Sequence, residues 1–185
     1  MTLEELFIVM HQCTDCDICR MPENQLDISK GRGKLQGWGK GRIMFVSQNP
    51  SVHRFSNCIT PVDAGISKEL VDTLISLGMP IEEIYFTNIV KCSTPSNRAP
   101  DVVEIGNCTR WISKEIELIK PLLIVGVGTV ASRALISIVD RDSILLFSIY
   151  HPSFVKRSGT FDNIYARYAK QLQSVVEEAR IKLAI

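Results

Sequence analysis

Short apolar runs and stretches of helical spacing alternate along most of this chain. Ile43-Met-Phe-Val46 reads as a buried strand, and a polar loop follows it to about Gly65. Ser67 then opens a helix on which Leu70, Val71, Leu74, Ile75 and Leu77 share one face, and Gly78 and Pro80 stop it. Ile84-Tyr-Phe-Thr87 is the second strand, and Pro100-Asp101 starts a helix that Pro121 closes after Lys120. Leu122 to Val127 makes the third strand, Thr129 to Val139 a helix, Ile144 to Ile149 the fourth strand, and Asp162 to Leu183 a last helix. Ahead of these, Thr2-Leu-Glu-Glu5 forms a capping box for a helix reaching about His11. From Cys13 to Gly41 neither period is present, so this segment reads as loop.

Strands that alternate with helices pair in parallel and are covered on both faces. The expected fold is therefore α/β: a three-layer α/β/α sandwich around a four-stranded parallel sheet, in one domain spanning 1–185. The cysteine-containing segment 13–41 hangs from its N-terminal side. In such sheets, ligands collect at the carboxyl ends of the strands. That rule selects the loops after Val46, Thr87 and Ile149.

Composition narrows the class without naming a chemistry. At 185 residues, 45% hydrophobic and 22% charged, the chain can bury one core. The strongest apolar run, Pro121 to Gly128, is too short to span a bilayer. The N-terminus has no pattern of a secretory leader, so a cytoplasmic location, beside DNA if DNA is the partner, is the expectation. A net charge of +1 neither demands nor excludes nucleic acid.

The six cysteines change the picture more. Cys13-Thr-Asp-Cys16-Asp-Ile-Cys19 brings three thiols within seven residues, and Cys92 and Cys108 follow far downstream. A Cys-x-x-Cys turn aims two thiolates at one centre, and two distant thiols complete four soft ligands. Zinc would accept the same set. Three thiols so close together are poorly explained as core hydrophobes. Cys58, isolated in a loop, reads as an ordinary cysteine.

The three selected strand ends are polar. They carry Ser47-Gln48-Asn49-Pro50-Ser51, Asn88, and His151-Pro152-Ser153-Phe154-Val155-Lys156-Arg157. Each alone is a turn residue or a half-buried ring. Three at one sheet edge suggest a site.

The run Ile84-Tyr-Phe-Thr-Asn-Ile-Val-Lys-Cys92, the turn Asn97-Arg-Ala-Pro100 and the spacing to Cys108 resemble the iron–sulfur uracil-DNA glycosylases called family four. Glu115 to Pro121, the Gly126-Val-Gly128 strand end and His151-Pro-Ser153 with Arg157 match the same family in the same order. The resemblance implies a monomeric hydrolase of base excision repair that removes uracil from damaged DNA. It implies a [4Fe–4S] cluster held by Cys13, Cys16, Cys92 and Cys108, with Cys19 spare or an alternative ligand. It assigns Asn88 to reading a flipped pyrimidine, with Phe55 the nearest aromatic to stack on it. His151 would steady the departing base. Ser153, Phe154, Val155, Lys156 and Arg157 would meet DNA, with Phe154 or Val155 as the wedge. Lys30-Gly-Arg-Gly-Lys34 and Lys40-Gly-Arg42 could add phosphate contacts.

The first motif departs from the family. Where Gly-Glu-Ala-Pro-Gly is usual, this chain has Ser47-Gln48-Asn49-Pro50-Ser51, so Gln48 replaces the water-activating glutamate. Gln-Asn-Pro resembles the first motif of other branches of the superfamily, and by position Asn49 would orient water without taking its proton. Ser51 is small where the fast branch carries a bulky thymine-excluding residue. A wider pocket, open to modified pyrimidines, is therefore expected. Three other functions compete: a non-catalytic binder of damaged DNA, a redox carrier, and a nucleotide-dependent enzyme suggested by Gly126-Val-Gly128-Thr-Val-Ala131. The last needs an acidic residue after the next strand, where Tyr150 and His151 stand.

Overall fold

The computed structural model describes residues 1–25, 27, 37–50, 67–158 and 162–184. Five short strands form one sheet: β1 (Trp38–Gly39), β2 (Ile43–Ser47), β3 (Ile84–Asn88), β4 (Leu123–Val127) and β5 (Leu145–Ile149), in the order β1-β3-β2-β4-β5. The last four run parallel, as expected, and β1 adds an antiparallel edge within a segment read as loop. Six α-helices, with short 3₁₀ turns between them, complete the described chain: α1 (Leu3–His11), α2 (Lys68–Ser76), α3 (Val102–Ile119), α4 (Thr129–Ile136), α5 (Pro152–Arg157) and α6 (Asp162–Leu183). None is long and apolar enough to cross a membrane.

Helix ends follow local chemistry. Thr2 accepts from the Glu5 N–H while the Glu5 carboxylate accepts from the Thr2 N–H, and Asp101 and Glu104 repeat this box at α3. Ser67 caps α2 through the Leu70 N–H. Helix α4 stops at Ile136, short of the expected Val139. On α2, Leu70, Val71 and Leu74 are buried, but Ile75 is 54% exposed because its position turns it away from the sheet.

Because side chains alternate along a strand, the sheet divides the core in two. One face carries Met44, Val46, Tyr85 and Ile124 against α1, α3 and α4, and the buried cysteines belong to it. The other carries Phe45, Phe86, Val125, Val127 and Ile149 against α2, α5 and α6. One side-chain amide ties the cysteine segment down. The Asn24 amide donates to Ile18 O and Ser93 O, both at 2.8 Å, and its oxygen accepts from the Ser93 N–H at 2.7 Å.

Beneath the end of β3 lies a fully buried ion pair. Lys91 Nζ stands 2.6 Å from Glu115 Oε2, with the two side chains 1% and 0% exposed. Lys91 also donates to Thr87 Oγ1 and to Asn88 O, each at 2.8 Å. Thr87 and Tyr85 hydroxyls donate to the same carboxylate at 2.9 and 3.2 Å. Burial, and then the Glu115 charge, push the Tyr85 phenol far above its usual range, so it stays protonated as a donor.

Candidate active site

The carboxyl ends of β2, β3, β4 and β5 open into one cavity of about 470 Å³. Of the residues predicted from sequence, Gln48, Asn49, Asn88, His151, Ser153 and Arg157 line it. Phe55, Ser51, Cys58 and Lys30 to Lys34 lie outside the described residues. Among the described lining residues Arg157 is the one formal charge, and no carboxylate is present.

Asn49 is the first key group. It is 8% exposed, and its Nδ2 faces three acceptors: Pro50 O at 3.2 Å, Thr94 Oγ1 at 3.2 Å and Asn97 Oδ1 at 3.3 Å. Thr94 spends its own hydroxyl proton on Arg98 O at 2.6 Å, which leaves a lone pair for Asn49 and fixes the amide orientation. Oδ1 is thereby turned the other way, buried and without a hydrogen-bond partner among the described residues. Such an acceptor costs about 1–3 kcal/mol if left unpaired, so a donor belongs beside it.

Asn97 was not singled out as a site residue, although its turn was. Ser96 and Asn97 adopt φ of 51° and 55°, and Arg98 clamps the turn by donating twice to Glu104, at 2.8 and 2.5 Å. That clamp aims Asn97 at Asn49.

His151 is the second group. The segment after β5 is not a loop: Pro152 at the first helical position starts α5, and His151 is its N-cap. The imidazole Nδ1 accepts from the Ser153 N–H at 3.2 Å and meets Ser153 Oγ at 2.5 Å. A nitrogen that accepts from a backbone amide carries no proton, so the neutral ring bears its proton on Nε2. Burial, and then the Arg157 charge, hold its pKa below the ordinary 6.5. Gly128 makes room for the ring: its φ is +84°, and a Cβ there would lie 3.1 Å from His151 Cβ.

Asn88 ends β3, 6% exposed, its carbonyl held by Lys91. Among the described residues its side-chain amide makes no hydrogen bond, leaving both donor and acceptor for the cavity it lines.

Around this centre, α5 divides its residues. Phe154 is 43% exposed, and its ring packs against Tyr150 at 5.5 Å. Val155 is 2% exposed within the second core, so the expectation that it meets DNA is corrected. One helical turn separates it from buried Pro152, and both face inward. Lys156 is exposed and 3.5 Å from exposed Glu69, a pair that a phosphate can replace at little cost.

On the opposite face of the sheet, Cys13, Cys16, Cys19, Cys92 and Cys108 are all buried, and no disulfide joins them. Cys92 and Cys19 sulfurs are 3.7 Å apart. N–H groups point at these sulfurs: Asn107 Nδ2 to Cys16 at 3.3 Å and Arg110 Nη2 to Cys13 at 3.5 Å. Burial pushes the Cys108 thiol up to about 11, against the pull of the Lys91 N–H and charge. Among the described residues no three Cys, His, Asp or Glu side chains are arranged to hold a metal ion. The donor chemistry nonetheless suits a thiolate-bound centre, since five buried thiols lie in one core cluster and amide and guanidinium donors face two of them.

A family model described as the uracil DNA glycosylase superfamily matches residues 37–173. The type-4 uracil-DNA glycosylase of Archaeoglobus fulgidus is 24% identical over 172 residues, covering 83% of this chain and 84% of that protein. That of Sulfurisphaera tokodaii is 24% identical across 95% of this chain and 82% of its own length. For the type-4 enzyme of Thermotoga maritima, identity is 31% over 131 residues, 70% of this chain and 66% of that one.

Proposed function

The chain belongs to the uracil DNA glycosylase superfamily, and from that premise we propose that it hydrolyses the N-glycosidic bond of a uracil or modified pyrimidine flipped out of DNA, leaving an abasic site. One observation carries this reading. A single cavity is lined by Asn88, the neutral His151 ring and Asn49, and among the described residues the Asn88 amide and the buried Asn49 Oδ1 have no hydrogen-bond partner. These are the groups that a pyrimidine edge, its departing negative charge and an attacking water require.

Asn88 donates to O4 and accepts from N3–H, a pattern that cytosine does not match. As the C1′–N1 bond breaks, its electron pair moves onto the pyrimidine, and His151 Nε2–H donates to O2 where charge gathers. Water then joins C1′ while hydrogen-bonded to Asn49 Oδ1. Its proton passes to the expelled base, which leaves neutral. Gln48 lies beside this position. Arg157, Lys156 and Ser153 hold the DNA backbone, and exposed Phe154 is the wedge. The small Ser51 is the reason for including modified pyrimidines.

Cys13, Cys16, Cys92 and Cys108 would hold the [4Fe–4S] cluster, with Cys19 in contact as a further thiol. The cluster would supply cross-linking of the N-terminal segment to the segment after β3, and no step of the reaction passes through it.

Duplexes bearing uracil, thymine mismatches and 5-modified pyrimidines test the proposal when alkali-labile abasic sites are scored. Product from uracil is expected, and protein prepared without air should be brown with broad visible absorbance. Tight binding without abasic product would instead identify a binder of damaged DNA.

The pH profile follows from the His151 ring. Below its pKa, Nδ1 takes a proton and can no longer accept from Ser153. Measured kcat/KM should be flat near neutrality and fall through a midpoint below 6.5. Arg157→Ala removes the second cause and should move that midpoint up. The unfolded chain binds this proton first, so folding stability also drops as pH falls from 6.5 towards the folded value. An acid limb that ignores Arg157 would count against the assignment.

A further inference from the structure

The proposed chemistry reads the rim of a flipped base but leaves its flat face without a support. The aromatic that the sequence resemblance suggests for that face, Phe55, is outside the described residues. The described cavity has a different aromatic wall. Trp38 lines it, half-buried, directly across the β1–β3 ladder from Phe86. Its ring centroid is 6.2 Å from that of Phe86, tilted by 45°. Cross-strand partners point to the same face of a sheet, and so do residues two apart on one strand. Trp38, Phe86 and Asn88 therefore share a face, with the indole at the edge and the amide at the strand end.

The edge strand is built to hold that indole close. Gly39, at φ +96°, pairs with Tyr85, and a Cβ there would come within 2.1 Å of Ile84 O. Only glycine allows β1 to lie this near β3 in this conformation. The two-residue strand has one side chain, and that side chain is Trp38.

We propose that Trp38 is the face on which the extruded pyrimidine stacks while Asn88 reads its edge. The inference rests on the glycosylase reading above and adds the residue that binds the base plane. Stacking of this kind is worth about ten- to a hundredfold in affinity when the aromatic is truncated to alanine.

The chain has two tryptophans, and the second, Trp111, sits in the opposite core beneath Arg110. Trp111→Phe therefore leaves Trp38 as the sole tryptophan emitter. The probe is a duplex carrying one uracil on a 2′-fluorinated, uncleavable nucleotide, titrated into the metal-loaded full chain. Quenching is expected in the wild type and in Trp111→Phe, and its loss in Trp38→Phe. Trp38→Ala should bind the probe about ten- to a hundredfold more weakly, and Trp38→Phe within a few-fold of wild type. A duplex without uracil should quench neither protein. Equal quenching by that control, an unquenched Trp111→Phe, or unchanged binding by Trp38→Ala would each overturn stacking. If Trp38→Ala does not fold, the fluorescence comparison still decides. Wild-type protein that forms abasic sites with Trp38 unquenched would sink this inference alone. Wild-type protein that forms none would sink the glycosylase reading itself.

Discussion

His151→Ala is expected to lower kcat about 10²–10³-fold, the usual loss when one donor to a developing anion is removed. Affinity for an uncleavable uracil duplex should change only a few-fold, because the charge on O2 exists mainly in the transition state. Alanine also removes the N-cap of α5 and its bond from the Ser153 N–H, costing about 1 kcal/mol of local stability. His151→Asn separates the two effects. Asparagine is a strong N-cap, so it should restore the helix without restoring the rate. Single-turnover cleavage across the three proteins makes the comparison. Loss of less than about tenfold in both variants would mean that the ring is a cap and nothing more.

Glu115→Ala carries the largest expected loss of stability, about 3–5 kcal/mol by denaturant unfolding, because it strands Lys91 as an uncompensated buried charge. Thr87 and Tyr85 lose their acceptor in the same step. Activity should fall as well, since Lys91 holds the Asn88 carbonyl. The double variant Lys91→Met with Glu115→Leu removes both charges and should recover most of the stability, as buried pairs replaced by apolar groups commonly do. It should not recover the uracil-reading step, where a Lys91 bond is still missing. A single-variant loss below about 1 kcal/mol would show that the pair contributes little.

The regular elements were legible because each buries a face with its own period. The apolar runs of β2, β3, β4 and β5 and the capping chemistry of α1, α2 and α3 were sufficient. The edge strand β1 was not legible. Two residues show no alternation, and their place depends on pairing with Tyr85 and Phe86 over forty positions away. Helix α5 was missed because histidine is an unusual cap and six residues offer too few turns. The Val155 error follows from that miss: once the segment is helical, spacing from Pro152 puts Val155 inside.

The site was partly legible. Strand-end amides and an imidazole pointed to the cavity, since the topology of a parallel sheet brings them to one edge. Asn97 and Trp38 did not stand out. Asn97 matters through Asn49, 48 positions away, and through two left-handed residues that no local pattern announces. The Gly-Trp-Gly run around Trp38 was the available signal. An aromatic between two glycines is a side chain set on a backbone pressed against its neighbour.

Helix α5 joins two tasks in one short body. Its basic residues lie in the last turn and the imidazole at the first. Six residues span ~9 Å, less than three base-pair steps of ~3.4 Å. On the proposed reading, backbone capture at one end would set the tilt of the ring at the other, like a rocker on a fixed pivot. A strand gripped out of register would then leave the ring aimed past O2 of the departing base, so intact DNA in passing would be gripped without losing a base.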